Sequence, residues 1–346
     1  MGEATGYGGP RGPHHPPSSS HPREFNYSTV RGIFLQDDPA TNASDFDYTT
    51  VNLGLIDRSY ETDHRCDPHG TKTQWERFVC YLNHLNRVAP HNVQYKLLIM
   101  GRHGEGYHNV AESYYGTEAW DCYWSLLDGN GTITWADAHI TPEGADQAVR
   151  AHAFWHDALA NGGIPAPQSY YVSPLARCLE TARLTFSAPA DLPFPADAAP
   201  FVPTIKELLR EAIGIHTCDR RSSKAWIAQN YPGYVFEEGF AEEDPLWEPD
   251  ERETNAAMDA RLAQLLDNVF ASDERSSVIS FTSHSGALGS VLRVLGHREF
   301  RLVTGAVIPV LVRAERRVVE RPSPTGVLST GPPTCEVDPT ASVGTG

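Results

Sequence analysis

A chain of 346 residues with 40% hydrophobic side chains can bury a sizeable core, so a wholly disordered chain is excluded and one large domain with ragged ends is expected. Its 28 Lys and Arg against 44 Asp and Glu leave a net charge of −16, which argues against nucleic acid or anionic membrane as a partner and requires any phosphate site to rest on a local basic cluster. No stretch approaches the roughly 18–20 apolar residues of a membrane span and the N-terminus has no apolar signal core, so the expected location is cytoplasmic.

Residues 1–24 are expected to be a disordered tail, because Gly, Pro, Ser and His dominate and large apolar side chains are almost absent. His14, His15 and His21 lie in it without Cys or carboxylate partners and carry no metal assignment. The segment 25–92 has aromatic and apolar content sufficient to pack, including Phe46, Tyr48, Leu53 and Ile56, and reads as an N-terminal extension wrapping the core. Within it, Trp75, Phe78, Val79, Leu82 and Leu85 mark one face of an amphipathic helix. Lys96 to Met100 reads as a buried central strand stopped by Gly101, since its apolar run is short and unbroken. A helix should follow Thr141-Pro142-Glu143, with Thr141 as cap and Pro142 at the first helical position.

Tyr170 to Val172 reads as a second strand running through Ser173-Pro174 into a helix with Leu175, Leu179 and Ala182 on one side. A short extended piece is expected around Val202. Thr254 can cap a helix carrying Leu262, Leu265, Leu266 and Val269, and Val278 to Phe281 forms a strand before Thr282-Ser283-His284. A helix from Ser285 and a strand from Ala306 to Val312 complete the core, and the Pro, Thr, Gly and Ser-rich residues 321–346 read as a second disordered tail. Strands alternating with helices imply a three-layer α/β/α sandwich over about 25–320 with a largely parallel sheet.

The six cysteines are scattered without a C-x-x-C pair, so free thiols are expected. Sequons beginning at Asn26, Asn42 and Asn130 have no role in a chain that does not enter the secretory pathway.

Functional residues of parallel sheets gather beyond the carboxyl ends of the strands. Here the strand ends at Met100 and Phe281 are each followed within four residues by a histidine, and the end at Val172 leads into a helix bearing Arg177 in its first turn. The segment Gly101-Arg102-His103-Gly104-Glu105-Gly106-Tyr107-His108-Asn109 adds a cation, an imidazole, permissive glycines and an amide donor, parts that suit an oxyanion. Phosphoryl transfer needs donors around the equatorial oxygens and an in-line nucleophile, and an imidazole with an ordinary pKa of about 6.5 can serve as one near neutral pH.

Over roughly Lys96 to Val312 the chain resembles the histidine phosphatase superfamily, also called phosphoglycerate-mutase-like. The likeness rests on five pieces in order: Arg102-His103-Gly104 with Asn109; Ile140-Thr141-Pro142-Glu143-Gly144 with Gln147-Ala148; Ser173-Pro174-Leu175-Ala176-Arg177 with Thr181-Ala182; Leu209-Arg210-Glu211; and Ser283-His284-Ser285-Gly286. The string from Gly101 through Glu112 and Trp120-Asp121-Cys122-Tyr123-Trp124-Ser125 look especially like its fungal phosphomutase-like branch.

The resemblance implies that His103 accepts the phosphoryl group while Arg102, Asn109, Arg177 and His284 hold its oxygens, with Glu211 as proton donor and neighbouring Glu207 the competitor for that role. Tyr107, His108, Arg220, Arg221 and Lys224 are candidates for binding the rest of the substrate, although a solvated basic face accounts equally well for the last three. Trp120, Tyr123 and Trp124 read as pocket mouth or as packing. Neither a H-E-x-x-H helix, a P-loop nor a full dinucleotide fingerprint is present, so no cofactor and no metal are expected. The leading expectation is a metal-independent phosphatase acting on a small phosphorylated metabolite through phosphohistidine. A mutase sharing the first half-reaction is the alternative, and a non-catalytic phosphate-ligand-binding protein the third. The sequence carries no signal for an oligomeric state.

Overall fold

The computed structural model describes residues 23–188, 190–319 and 326–340. The N-terminal tail up to residue 22, with its three histidines, lies outside them, and the first strand begins at Arg23, two residues inside the expected tail. Strands β1 (Arg23–Thr29), β2 (Val93–Arg102), β3 (Ser169–Val172), β4 (Thr204–Ile205), β5 (Val235–Phe236), β7 (Val278–Ser283) and β8 (Val307–Val319) form one sheet in the order β1-β8-β2-β7-β3-β4-β5. A separate two-stranded sheet pairs β6 (Arg252–Glu253) with β9 (Ser329–Thr330). From β2 to β5 the neighbours run parallel, whereas β8 is antiparallel to both β2 and β1. The extended piece expected at Val202 is displaced to Thr204–Ile205, leaving Val202 exposed.

The α-helices among the described residues are α1 (Asp63–Cys66), α2 (Gln74–Val88), α3 (Tyr107–Tyr115), α4 (Thr117–Cys122), α5 (Pro142–Asp157), α6 (Ala176–Phe186), α7 (Lys224–Asn230), α8 (Asn255–Ser272) and α9 (Ser285–Val294). The period-2 pleat of β2 sends Leu97 and Ile99 to one face and Leu98 and Met100 to the other. The first pair packs with Trp75, Phe78 and Leu82 of α2, Trp155 of α5 and Phe186 of α6. The second packs with Leu262, Leu266 and Phe270 of α8 and with Leu288 and Val291 of α9. Both faces of the strand are covered, as its unbroken apolar run required, and each fully buried side chain of this kind stabilises the fold by roughly 1.5–3 kcal/mol. The extension contributes edge strand β1 and the buried Ile33, Phe34, Tyr48, Leu53 and Tyr60 to the α2 face. Thr141 caps α5 through Gly144 N with Pro142 following it, and Thr254 caps α8 through Ala257 N.

Two expectations are corrected. Four of the six cysteines are paired, Cys66 with Cys80 and Cys122 with Cys335, leaving Cys178 and Cys218 as buried free thiols. The C-terminal segment 326–340 is also built into the fold. β9 pairs with β6, the Cys335 bridge ties it to the end of α4, and Trp124 Nε1 donates to Pro339 O at 3.2 Å. A disulfide constrains a Pro-rich stretch that could not order itself by burial, from a cysteine 213 residues away. Among the described residues no helix is long and apolar enough to cross a membrane.

Candidate active site

The parallel register brings the carboxyl ends of three strands level. Arg102 pairs with Ser283 across β2 and β7, and Val172 with Thr282 across β3 and β7, so His103, His284 and Ser173 leave adjacent strand ends together. The loop carrying His103 is held by the other motif pieces. Gly104 N donates to Thr181 Oγ1 at 3.0 Å, Glu105 N to Gln147 Oε1 at 2.8 Å, and Thr141 Oγ1 to Glu105 Oε1 at 2.7 Å. Glycine is required at 104 and 144 because the two backbones touch: a Cβ on Gly104 would overlap Gly144 O, and one on Gly144 would overlap Glu105 O.

His103 is 2% exposed, and its Nδ1 lies 2.7 Å from Gly104 O. A carbonyl can only accept, so Nδ1 carries the proton and Nε2 keeps its lone pair in the neutral ring. Burial, followed by the Arg177 and Arg102 guanidinium groups, holds the His103 pKa well below the ordinary imidazole value against the opposing pull of the Gly104 bond. The ring centroids of His284 and His108 lie 5.1 and 5.4 Å from that of His103, and burial together with the same cations depresses both of their pKa values too.

Arg177 is buried and its donors are distributed: Nε to His284 Nδ1 at 3.2 Å, Nη1 to Cys218 O at 2.6 Å, and Nη2 to Asp219 Oδ1 at 2.7 Å. Because a guanidinium only donates, His284 carries its proton on Nε2 and gives it to Ser173 Oγ at 2.7 Å. Arg102 donates through Nη1 to Leu302 O at 2.9 Å, while its buried Nε has no hydrogen-bond partner among the described residues. Asn109 Oδ1 accepts from Gly106 N at 3.0 Å at the start of α3, which leaves the amide nitrogen as donor.

Glu211 rests on the N-terminus of α9. Its Oε2 accepts from Gly286 N at 2.9 Å and its Oε1 from Ala287 N at 3.1 Å and from Ala212 N at 3.0 Å. Free N–H groups at a helix start favour a negative group there. Gly286 is the enabling residue, since a Cβ at that position would overlap Glu211 Oε1. Glu207 is tied elsewhere, to Arg221 Nε at 2.5 Å and Arg210 Nη1 at 3.3 Å. Burial raises its pKa although both guanidinium groups oppose the shift.

Of the remaining candidates, Tyr107 begins α3 and is half-buried beside the buried His108. Arg221 is spent on structure, donating to the carbonyls of Ala241, Ser222, Glu242 and Glu243 besides Glu207. Lys224 lies over the Phe236 ring, and the half-exposed Arg220 pairs with Asp128 over Trp247. The basic run therefore has protein partners throughout. Trp120 packs on Trp135 and Trp124 stacks on Tyr115, which makes these aromatics packing residues.

Sequence reasoning missed Asp219 and Arg252. Asp219 holds Arg177 on one oxygen and faces Arg252 Nη1 at 3.4 Å on the other. Burial alone would push its pKa up, but Arg177 and Arg252 overrule it and hold it below the ordinary carboxylate range. A lone Asp in a loop gives no pattern by which to find it. His216, Cys218 and Asp219 lie close enough to share a metal ion. Asp219 is already neutralised by two guanidinium groups, so a further cation there would be repelled.

A family model described as the histidine phosphatase superfamily (branch 1) matches residues 125–303, beginning downstream of Arg102-His103-Gly104. Over 291 residues the chain is 54% identical to "Probable phosphoglycerate mutase" of Arthroderma benhamiae, covering 84% of this chain and 85% of that protein. It is 33% identical over 296 residues to "Phosphomutase-like protein 3" of Candida albicans, covering 86% of this chain and 82% of that protein. Among solved structures, the alpha-ribazole phosphatase of Shigella flexneri is similar at 19% identity and a TM-score of 0.36, covering 67% of this chain and 98% of that one. The fold described above stands on its own strand order. On the family model and the fungal relatives, the chain belongs to the histidine phosphatase superfamily, in the company of the fungal phosphomutase-like proteins.

Proposed function

We propose that this protein is a phosphatase that hydrolyses a small-molecule phosphate ester through a phosphohistidine on His103, without a metal ion. The observation that carries the reading is the His103 tautomer: Nδ1 is held by Gly104 O, so Nε2 is unprotonated and free to attack phosphorus. Arg102 and Asn109 supply donors to the phosphoryl oxygens, and Arg177, whose Nη1 and Nη2 each keep a second N–H, supplies more, with His284 positioning it. Phosphorus passes from the ester oxygen to Nε2, and Glu211, which takes up a proton when the charge of the bound phosphate dianion offsets the helix N–H groups, gives that proton to the departing alkoxide. The resulting carboxylate then takes a proton from water as that water attacks phosphohistidine, which frees phosphate and restores both residues. Burial keeps His103 neutral well into the acidic range, so its lone pair is available whenever substrate binds.

A mutase that returns the phosphoryl group to another hydroxyl is favoured by one observation, the printed name of the 54% identical relative. The two reactions part only after phosphohistidine forms, according to whether water reaches it. The test is phosphate release from a panel of phosphomonoesters in chelator, with wild type beside His103→Ala. The phosphatase reading expects release that disappears in the variant. Isomerised ester without phosphate release gives the mutase, and release that chelator abolishes and divalent metal restores overturns the metal-independent mechanism.

A further inference from the structure

We propose that His108 is a ligand of the transferred phosphoryl group, a neutral imidazole N–H donor that completes the oxyanion cradle; the assignment rests on the phosphohistidine reading above. His108 is 9% exposed, its buried Nδ1 has no hydrogen-bond partner among the described residues, and Nε2 is not among their buried unpartnered atoms. The unpaired Nδ1 costs about 1–3 kcal/mol whether or not a ligand reaches Nε2, a cost that an apolar side chain of similar volume would avoid. The ring stands beside the nucleophile. Its centroid is 5.4 Å from that of the nucleophile, against 5.1 Å for His284, and it occupies the first turn of the nine-residue α3 beside Asn109.

The ring's orientation selects the nitrogen. A Cβ built on Gly106 would lie 2.6 Å from His108 Nδ1 and 2.7 Å from Cε1, so that edge of the imidazole is pressed against the glycine backbone. Nε2 is then the nitrogen available to a ligand. Burial, followed by the Arg177 and Arg102 guanidinium groups, holds the His108 pKa well below the ordinary imidazole value, so the ring stays neutral and carries a single proton to donate. His284 differs in having both nitrogens bonded to protein, to Arg177 and Ser173. His108 is the imidazole with a donor in reserve.

The test compares His108→Leu and His108→Gln with wild type in the full-length protein. It reads inhibition by orthovanadate, kcat/KM for one aryl and one alkyl phosphate, and the thermal midpoint. The expected result for Leu is vanadate inhibition weaker by about 10- to 100-fold and kcat/KM reduced by a similar factor for both esters, with the midpoint unchanged or raised. Gln, which offers an N–H, should recover part of the loss. Wild-type vanadate affinity in the Leu variant overturns the proposal. So does a loss confined to the alkyl ester, which would move the contact to the leaving group, or a Gln variant that is folded yet binds vanadate no better than Leu. His103→Ala run alongside separates the two levels, because turnover persisting there refutes the phosphohistidine reading itself.

Discussion

His103 is oriented by one carbonyl and Glu211 by three backbone N–H groups, which makes their roles separable by substitution. Glu211→Gln keeps the shape of the side chain but cannot supply the proton, so it should slow alkyl phosphates by about 10²- to 10⁴-fold and aryl phosphates, whose leaving groups need little protonation, far less. Gly286→Ala should reproduce that dependence on the leaving group without touching the carboxylate chemically, because the added Cβ overlaps Glu211 Oε1. A Brønsted series across leaving groups checks both variants, and equal slowing of all esters would remove Glu211 from the acid role. The site was readable from sequence where residues sit in a contiguous pattern. Thr141, Gln147 and Thr181 entered as parts of a resemblance and turn out to be the groups that pin the His103 loop. Asp219 was unreadable because its meaning lies in contacts with Arg177 and Arg252, more than thirty residues away on either side.

At the scale of elements, the central strand, the caps at Thr141 and Thr254 and the helix after Ser173-Pro174 were legible because each is written in local periodicity or capping chemistry. The antiparallel sense of β8 was not, since an apolar run reads the same in either direction. The C-terminal segment was read wrongly for the same reason: composition reports what a stretch can bury, not what a distant cysteine can tie down. Cys335→Ser should therefore expose residues 326–340 to limited proteolysis and lower the thermal midpoint, by an amount corresponding to about 2–4 kcal/mol at most. Unchanged proteolysis would mean that β9 and the Trp124 bond suffice to hold the segment. Thiol titration of the unfolded, unreduced protein should find two reactive cysteines, Cys178 and Cys218. Six would contradict both bridges and fit the reducing cytoplasm expected from sequence.

For the molecule as a whole, the buried imidazoles set the dependence of stability on pH. His103, His108 and His284 have pKa values well below the ordinary 6.5, and burial with Arg252 lowers that of His216 to about 4. The unfolded chain takes up protons near pH 6.5 that the folded chain refuses, so stability is full above that pH and is lost as pH falls below it. Each such histidine contributes about 1.4 kcal/mol per pH unit. Denaturant midpoints at pH 7.5 and 5.0 should differ steeply, and His108→Leu should flatten the difference; a midpoint that rises on acidification would contradict the assigned protonation. The same property serves the chemistry, because a cluster of imidazoles kept neutral beside two guanidinium groups presents lone pairs and single N–H donors to an incoming phosphate. The most direct test of the central claim is rapid quench of the enzyme with a turned-over ester into alkali, followed by mass spectrometry of the peptide containing His103. A single acid-labile phosphoryl group on His103, absent from His103→Ala, is the expected result; turnover that proceeds with no phosphoryl group on that residue would contradict it.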